Sequence, residues 1–550
     1  MKEMPVSGMG KLSPLAHKIP GLERSSQKMR YPPEFSEEQA SSVVSDIKDY
    51  QLTHGSLLKL VQTDEDSTVL AHPVGASVFP TLFPRHLFHE ALELQGVYNR
   101  LYATVAEDEQ WLYETLEGLI GIDPLARCLW GIYEEVRREG YVQDFSLGVW
   151  RNDYMLHMSP SSSKRAIQEP VLKQVEFNTI AVAGGTHGNR ISDMHQHLQQ
   201  TDAYQSSPED QNLKIIASAL PPNHTITTIT TGLITAHKAY GSPQVPGVKQ
   251  TCILFIVQPH NFNIADERPL EYSLWQSSPP IPAYRLCFGA DVLEHTILSP
   301  NRELLYHPPS RPGLSMEVSV VYFRSAFEAH EYHHVGRMAR LHLERSRAIK
   351  CPNLLGHLCT FKKVQQALSM PGALSRFLSP DEVDKVSATF APMYALDESE
   401  SGLKAREIVR DEKKAKDYVL KPSLEGGGHN VYGSDIPKFL AGVTKETWSS
   451  YVLMGKIVPP VLQNVLMSQR GMYEGPVISE LGIFGVCLWK RKAGNGDGER
   501  VMAEIVEELK PSWSFKTKDA SVDEMSVVKG YGCFDSPLLV ERETFTTCCQ

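Results

Sequence analysis

The chain predicts an α+β fold, and three observations carry that expectation. Continuous apolar runs at Thr251–Val257 and Glu317–Phe323 are typical of buried strands. A strongly amphipathic helix is marked out at Asp123–Gly140. Strands and helices mix without the regular βαβ rhythm of one doubly wound sheet, so layers of mixed type are expected.

Residues 1–33 are rich in Pro, Ser, Gly and Lys and read as a loose tail. In the helix that follows, Asp123 is placed to cap and Pro124 suits the first turn. Leu125, Leu129, Ile132, Tyr133 and Val136 form its apolar stripe, and Gly140 is placed to end it. Val171–Ile180 reads as a strand with Lys173, Glu176 and Asn178 among its polar residues. Glu176 and Asn178 stand two positions apart and so face the same way. The two buried strands come next, separated by a Pro-rich segment at Ser277–Pro282. Phe361–Leu368 is helical in character and carries Lys362 and Lys363, while Tyr418–Leu420 is a short strand. Tyr451–Val458 and Val477–Trp489 read as strands, and the Gly- and Asp-rich stretch Ala493–Glu499 as an exposed loop. No repeat of solenoid length is present.

Composition bounds the function. A chain of 550 residues, 41% hydrophobic and 22% charged, is an ordinary globular balance with room for roughly two to four domains. A net charge of -10 argues against a general nucleic-acid binder. No apolar run approaches the roughly 18 residues that span a bilayer, and Met1–Gly21 lacks the apolar core of a signal peptide. The 9 cysteines are odd in number and lack CxxC pairs, which suggests neither a disulfide framework nor a zinc site. A reducing cytoplasmic setting is therefore expected. Cys548-Cys549-Gln550 is not a prenylation box, because Thr547 stands where the cysteine would be. Asn223-His224-Thr225 fits a glycosylation sequon, but nothing else implies secretion.

The most informative stretch is Lys421–Gly433, Lys-Pro-Ser-Leu-Glu-Gly-Gly-Gly-His-Asn-Val-Tyr-Gly. Glycines let backbone N–H groups approach a polyphosphate without a Cβ in the way. Lys421 supplies a point charge for phosphate oxygens, and Glu425 offers oxygens to Mg²⁺. No Gly-Lys-Ser/Thr follows, so this is not a Walker A loop. Taken alone, a glycine-rich surface turn is the competing account.

Several co-linear blocks resemble eukaryotic glutathione synthetase, an ATP-grasp ligase. They are Arg151-Asn152-Asp153-Tyr154-Met155, Val175-Glu176-Phe177-Asn178-Thr179-Ile180, Val321-Tyr322-Phe323-Arg324 and Leu343-Glu344-Arg345-Ser346 followed by Lys350-Cys351-Pro352. Lys362-Lys363-Val364-Gln365-Gln366, the glycine motif, Tyr451-Val452-Leu453-Met454 and Ser479–Val486 complete the set over roughly residues 35 to 540.

The resemblance implies an ATP-grasp fold with the nucleotide clamped between sheets and an α/β substrate-binding domain inserted at 246–356. It divides the rest into 34–245, a nucleotide-binding region with its lid at 357–540, and a C-terminal tail at 541–550. It implies a homodimer that uses ATP and Mg²⁺ to phosphorylate a carboxylate, which an amine then captures. Glu176, Asn178 and Glu425 would be the metal ligands. Lys362 and Lys421 would contact ATP, with Gly426, Gly427, Gly428, His429 and Asn430 lying along it. Met454, Gly455, Lys456 and Ile457 resemble the hinge that meets adenine. Gly455 stands where the family usually has glutamate, which keeps backbone contacts and drops a side-chain one. Tyr432, Glu480, Lys518 and Glu524 also fall on nucleotide positions. Arg151, Lys362, Lys421 and Lys516 would carry catalysis, and Phosphoryl transfer does demand such clustered positive charge.

The acceptor half departs from the family pattern. Arg151 and Arg324 remain, each able to grip a carboxylate with paired donors, or to serve as a surface charge or structural ion-pair partner. The loop after Ile180, which offers small hydroxyls and Phe-Gly-Gly in the family, is Ala181-Val182-Ala183-Gly184-Gly185, one residue shorter. Asn261, Asn263 and Glu267 replace a Glu, an Asn and a Gln, and Phe327 replaces a Tyr. Arg-Thr-Lys becomes Lys516-Thr517-Lys518, which loses a planar fork. The glycine-rich lid becomes Met525–Gly530, stiffened by Val527 and Val528. Altered polar groups imply an altered substrate. The expected function is therefore a carboxylate–amine ligase acting on a pair other than γ-glutamylcysteine and glycine. The alternatives are authentic glutathione synthetase and a nucleotide-binding relative without catalysis, against which the kept Glu176, Asn178, Lys362, Lys421 and Glu425 speak.

Overall fold

The structure is a computed structural model and describes residues 30–60, 69–158, 169–205, 213–423, 429–492 and 502–549. Glu425, Gly426, Gly427, Gly428 and the Ala493–Glu499 loop lie outside the described residues, as does the tail up to residue 29.

A 14-stranded sheet organises the molecule around the long strand Gly471–Lys492. That strand pairs antiparallel with Phe145–Met158 on one side and Ser512–Asp519 on the other, and Pro170–Asn178 extends the antiparallel half. The other half has a parallel core, in which Ile349–Cys351, Met316–Phe323, Thr251–Val257 and Ala283–Cys287 run alongside one another, with Leu304–Tyr306 and Thr296–Leu298 added antiparallel at its edge. The helices Ile264–Trp275 and His334–Glu344 stand between these parallel strands in sequence, as parallel connections require. A separate antiparallel sheet is ordered Met393–Ala395, Tyr451–Gly455, Tyr418–Pro422, Val431–Tyr432. The molecule thus mixes an antiparallel half with a βαβ-like half, as α+β layering allows.

Local chemistry explains the elements. Asp123 caps the helix Pro124–Glu139 by accepting from the Ala126 backbone N–H at 2.7 Å, and Gly140 ends it at φ 85°. The stripe from Leu125 to Val136 is buried, each such side chain contributing about 1.5–3 kcal/mol. Trp150 and Trp489 meet at 5.5 Å between ring centroids, and Tyr102 stacks on Phe177 at 3.7 Å.

Several boundaries differ from the sequence reading. The strand expected at Tyr451–Val458 stops at Gly455, four residues before Pro459 and Pro460, which have no N–H for a ladder. The strand expected at Val477–Trp489 runs from Gly471 to Lys492, because a hairpin with Leu462–Ser468 and the partner Met502–Glu508 prolong it. The tail expected to residue 33 is tied down at Tyr31, whose hydroxyl donates to the Pro80 carbonyl. Residues 541–550, expected as a tail, contain the helix Arg542–Cys548, anchored by the buried Phe545.

Candidate active site

A cavity of about 640 Å³ lies between the large sheet and the small one. Period-two alternation on neighbouring strands places its charged groups on one face. Lys516 stands opposite Glu480, Asp153 opposite both Gly482 and Glu176, and Arg151 opposite Asn178. Gly482 is required here: a Cβ would come within 2.7 Å of Asp153 Oδ1 and 3.0 Å of Arg151 Cδ. Lys421, Met454 and Tyr432 face the cavity from the small sheet.

Cations and carboxylates alternate along this wall. Glu176 lies 3.2 Å from Lys362, which is buried at the start of the helix Lys362–Leu368. Burial works to raise the Glu176 carboxyl, but Lys362, Lys421 and Arg151 together hold it well below the usual carboxylate range. Lys421 donates to the Val175 carbonyl at 2.8 Å. Burial pushes its ammonium down to about 8, with Glu176 opposing the fall and Lys362 adding to it. Glu480 pairs with Lys516 at 2.5 Å; burial raises its carboxyl, Lys516 opposes, and Asp153 and Glu176 add to the rise. Lys518 donates to the Val522 carbonyl, and burial lowers its pKa. A wall with this much paired charge suits a polyanion whose charge it can share out.

The loop Ala181–Gly184 closes one side of the cavity and is pinned from behind. Asp266, 3% exposed, accepts from the backbone N–H groups of Gly184 and Thr186 at 3.0 Å each and of His187 at 3.4 Å. Arg324 donates to Asp266 at 2.9 Å and also to the Val182 carbonyl. Arg151 donates to both Asp153 oxygens, at 2.7 and 2.8 Å, and to the Ala183 carbonyl at 2.7 Å. Burial opposes the Arg151 charge, and Asp153, Glu480 and Glu176 outweigh it and raise its pKa.

The sequence profile described as eukaryotic glutathione synthase, ATP binding domain, matches residues 37–539. The chain belongs to the eukaryotic glutathione synthetase family. It is 31% identical over 524 residues to the glutathione synthetase large chain of Schizosaccharomyces pombe, covering 92% of this chain and 99% of that one. It is 34% identical over 449 residues to the glutathione synthetase of Homo sapiens, covering 81% and 87% respectively. Among solved structures it is similar to a glutathione synthetase-like effector from Globodera pallida in its apo form, with TM-score 0.69, 22% identity, and 94% of this chain and 100% of that chain covered; that likeness concerns the fold. This glutathione synthetase family member is an ATP-dependent, ADP-forming ligase.

Within this family member the cavity wall brings together Arg151, Glu176, Asn178, Ile180, Ala181, Asn263, Phe327, Lys421, Asn430 and Tyr432. Met454, Gly455, Lys456, Ile457, Glu480, Lys516, Lys518, Glu524, Val527 and Val528 join them. Lys362 reaches the wall through Glu176. His429, Asn261, Glu267 and Arg324 do not line it. Arg324 is held behind the loop by Asp266, with Glu267 at 3.6 Å, and Asn261 donates to Glu267 at 2.5 Å. Lys362 and Lys363 sit on no solvated helix face, since Lys362 is buried and Lys363 pairs with Asp397 at 3.4 Å.

Sequence reasoning missed three residues. Asp153 stood inside a quoted block, but only the register shows it supporting both Arg151 and Asn178, which donates to it at 3.0 Å. Asp266 lies in the first turn of the helix Ile264–Trp275, which the sequence reading did not identify, and no local signal marks it as the anchor of a distant loop. His187 carried no local signal at all. No helix among the described residues is long and apolar enough to cross a membrane.

Proposed function

We propose that this cavity is the site of an ATP- and Mg²⁺-dependent carboxylate–amine ligase whose substrate pair differs from γ-glutamylcysteine and glycine. The carrying observation is that Arg151 and Arg324, the guanidiniums expected to grip a substrate carboxylate, are already engaged by Asp153 and Asp266. Apolar groups occupy much of the adjoining wall: Leu58, Val182, Phe327, Val527 and Phe534. A substrate with fewer charges than a γ-glutamyl dipeptide fits such a wall.

The fold in this reading is ATP-grasp, with the nucleotide between the small antiparallel sheet and the large one. Residues 246–356, which contain the parallel strands, act as the inserted substrate-binding unit, and 357–540 as the nucleotide region. Glu176 and Asn178 fit Mg²⁺, because both present oxygen on the cavity wall, and the Asn178 amide nitrogen is spent on Asp153, which leaves its oxygen for a cation. Glu425 completes the proposed set. Bound there, the ion would neutralise charge on the phosphate oxygens.

The chain's own groups do the rest. Lys362 and Lys421 stabilise the transferring phosphoryl group as it leaves the nucleotide for the acid's carboxylate oxygen, giving ADP and an acyl phosphate. The amine then attacks the acyl carbon, the C–O bond to phosphate breaks, and the amine's proton is lost to solvent. Lys516 and Glu480 steady the acceptor side as a pair. Assembly as a homodimer in the cytoplasm belongs to the same proposal.

A second reading is authentic glutathione synthetase, favoured by the named activity of relatives that align with most of this chain. Mass spectrometry of products formed from Mg·ATP and pooled metabolites separates the two. A new amide other than glutathione supports the first reading. Glutathione as the best product, with γ-glutamylcysteine and glycine the preferred pair, refutes it.

A further inference from the structure

The helix Gly185–Gln200 begins at Gly184, whose φ of 85° turns the chain out of the cavity loop. Its first turn carries His187, which is 1% exposed and lies on the cavity wall. Neither ring nitrogen makes a hydrogen bond of good geometry among the described residues, and the Asn263 side chain is the polar group that interacts with the ring. Buried polar groups are ordinarily paired, and an unpaired one carries its whole desolvation cost. Other buried histidines of this chain engage at least one nitrogen: His195 Nε2 lies 3.1 Å from the Ser77 carbonyl, and His357 Nδ1 lies 3.5 Å from Arg340. His187 therefore has capacity for a ligand that a packing histidine would have spent.

Its surroundings define the ligand. The ring of Phe534 lies 5.4 Å away, tilted at 35°. Asn263, Val182 and Phe327 share the cavity wall with it. Burial pushes the imidazole down to about 4, with Asp266 and the Asn263 side chain opposing and Arg190 and Arg324 adding to the fall. The ring is thus neutral near pH 7, with one nitrogen donating and the other accepting. A neutral imidazole offers no countercharge to a carboxylate. It suits a group that can both give and take a hydrogen bond.

We propose that His187 is a specificity-determining residue, selecting a substrate that carries an uncharged hydroxyl or amide group on an otherwise apolar body. The inference rests on the ligase reading of the same cavity, and it names the substrate class that reading leaves open.

The test uses the full chain with Mg·ATP and matched compounds differing by hydroxyl against methyl. The probes are 4-hydroxybutyrate against pentanoate, and 4-hydroxyphenylacetate against 4-methylphenylacetate. ADP release is followed in wild type, His187→Leu and His187→Gln. In wild type the hydroxyl member should show a KM about tenfold or more below its partner. His187→Leu should bring the two within about threefold, and His187→Gln should restore part of the gap. Nucleotide affinity should not move. His187→Leu should also unfold at a urea concentration no lower than wild type, since it removes a buried unpaired polar group. Equal KM values in wild type, discrimination that survives His187→Leu, or a lowered urea midpoint in both variants overturns the proposal. Failure of these compounds and of the pooled metabolites alike to release ADP overturns the proposed reading of the cavity instead. Selectivity is then read as thermal shifts of the Mg·ATP-loaded protein with the same compounds. A hydroxyl preference lost in His187→Leu sustains the proposal there, and identical behaviour of wild type and variant overturns it.

Discussion

Asp266→Asn should loosen the cavity loop, and a double-mutant cycle with Arg324 measures how much of the loss is charge. The aspartate collects three backbone N–H bonds and one guanidinium bond while almost wholly buried. Asparagine fills the same space but brings two donors of its own, so its amide nitrogen must face either the loop's N–H groups or Arg324. It also leaves the Arg324 charge facing the carboxylate of Glu267 at 3.6 Å, which is already shared with Arg285, beside the neutral Tyr322 and the Val182 carbonyl. Removing one partner of a buried pair costs about 3–5 kcal/mol. In an Arg324→Met background the same substitution loses backbone bonds only, at about 1–2 kcal/mol. The expected coupling is therefore about 2 kcal/mol, read from urea midpoints of wild type, both singles and the double. The sign of the pH dependence follows. Burial raises the Asp266 carboxyl, but Arg324, His187 and the loop N–H groups bring it below its ordinary value. Its contribution is present above the usual carboxylate range and is lost as pH falls below about 4. The gap between wild type and Asp266→Asn should close in acid. A coupling below about 0.5 kcal/mol, within the scatter of independent sites, would refute the view that this pair pins the loop.

Three further outcomes are expected. Lys421→Met should weaken Mg·ATP binding roughly ten- to hundredfold by calorimetry, the value of one charge-assisted hydrogen bond, and an unchanged affinity would remove Lys421 from the nucleotide site. Asp535 is pushed up to about 6 by burial, against the hydrogen bonds from Ser77, Thr517, Thr81 and Ser536. Its raised carboxyl keeps its proton in the fold after the unfolded chain has lost it, so wild type should lose about 3 kcal/mol between pH 4 and 6 relative to Asp535→Asn; parallel stability curves would contradict this. Gly482→Ala places a methyl against Asp153, Ser514 and Arg151, and should cost about 1–3 kcal/mol in urea unfolding together with most of the ADP release.

Much of this architecture was legible because local chemistry and tertiary demand agree. Asp123, Pro124 and Gly140 bound the helix whose apolar stripe runs from Leu125 to Val136, and the short β-branched run Thr251–Val257 forms the buried strand that its pattern favours. The charged wall was legible in part, because Glu176, Lys421, Glu480 and Lys516 stand in sequence blocks that could be singled out and the structure places all four on the same cavity. The acceptor side was not, because its groups act through partners far away in sequence. Seen as single residues, Arg151 reads as a carboxylate clamp or a surface charge, and Arg324 as a clamp or a structural ion-pair partner. The fold turns Arg151 onto Asp153 two residues away on its own strand, and Arg324 onto Asp266, 58 positions distant. His187 is the clearest case, since an isolated histidine in a polar helix start means nothing until the fold buries it beside a cavity with neither nitrogen in a hydrogen bond of good geometry among the described residues. On the proposed reading, specificity resides in which polar groups the fold leaves unspent, a property of pairings across the structure that no stretch of sequence contains.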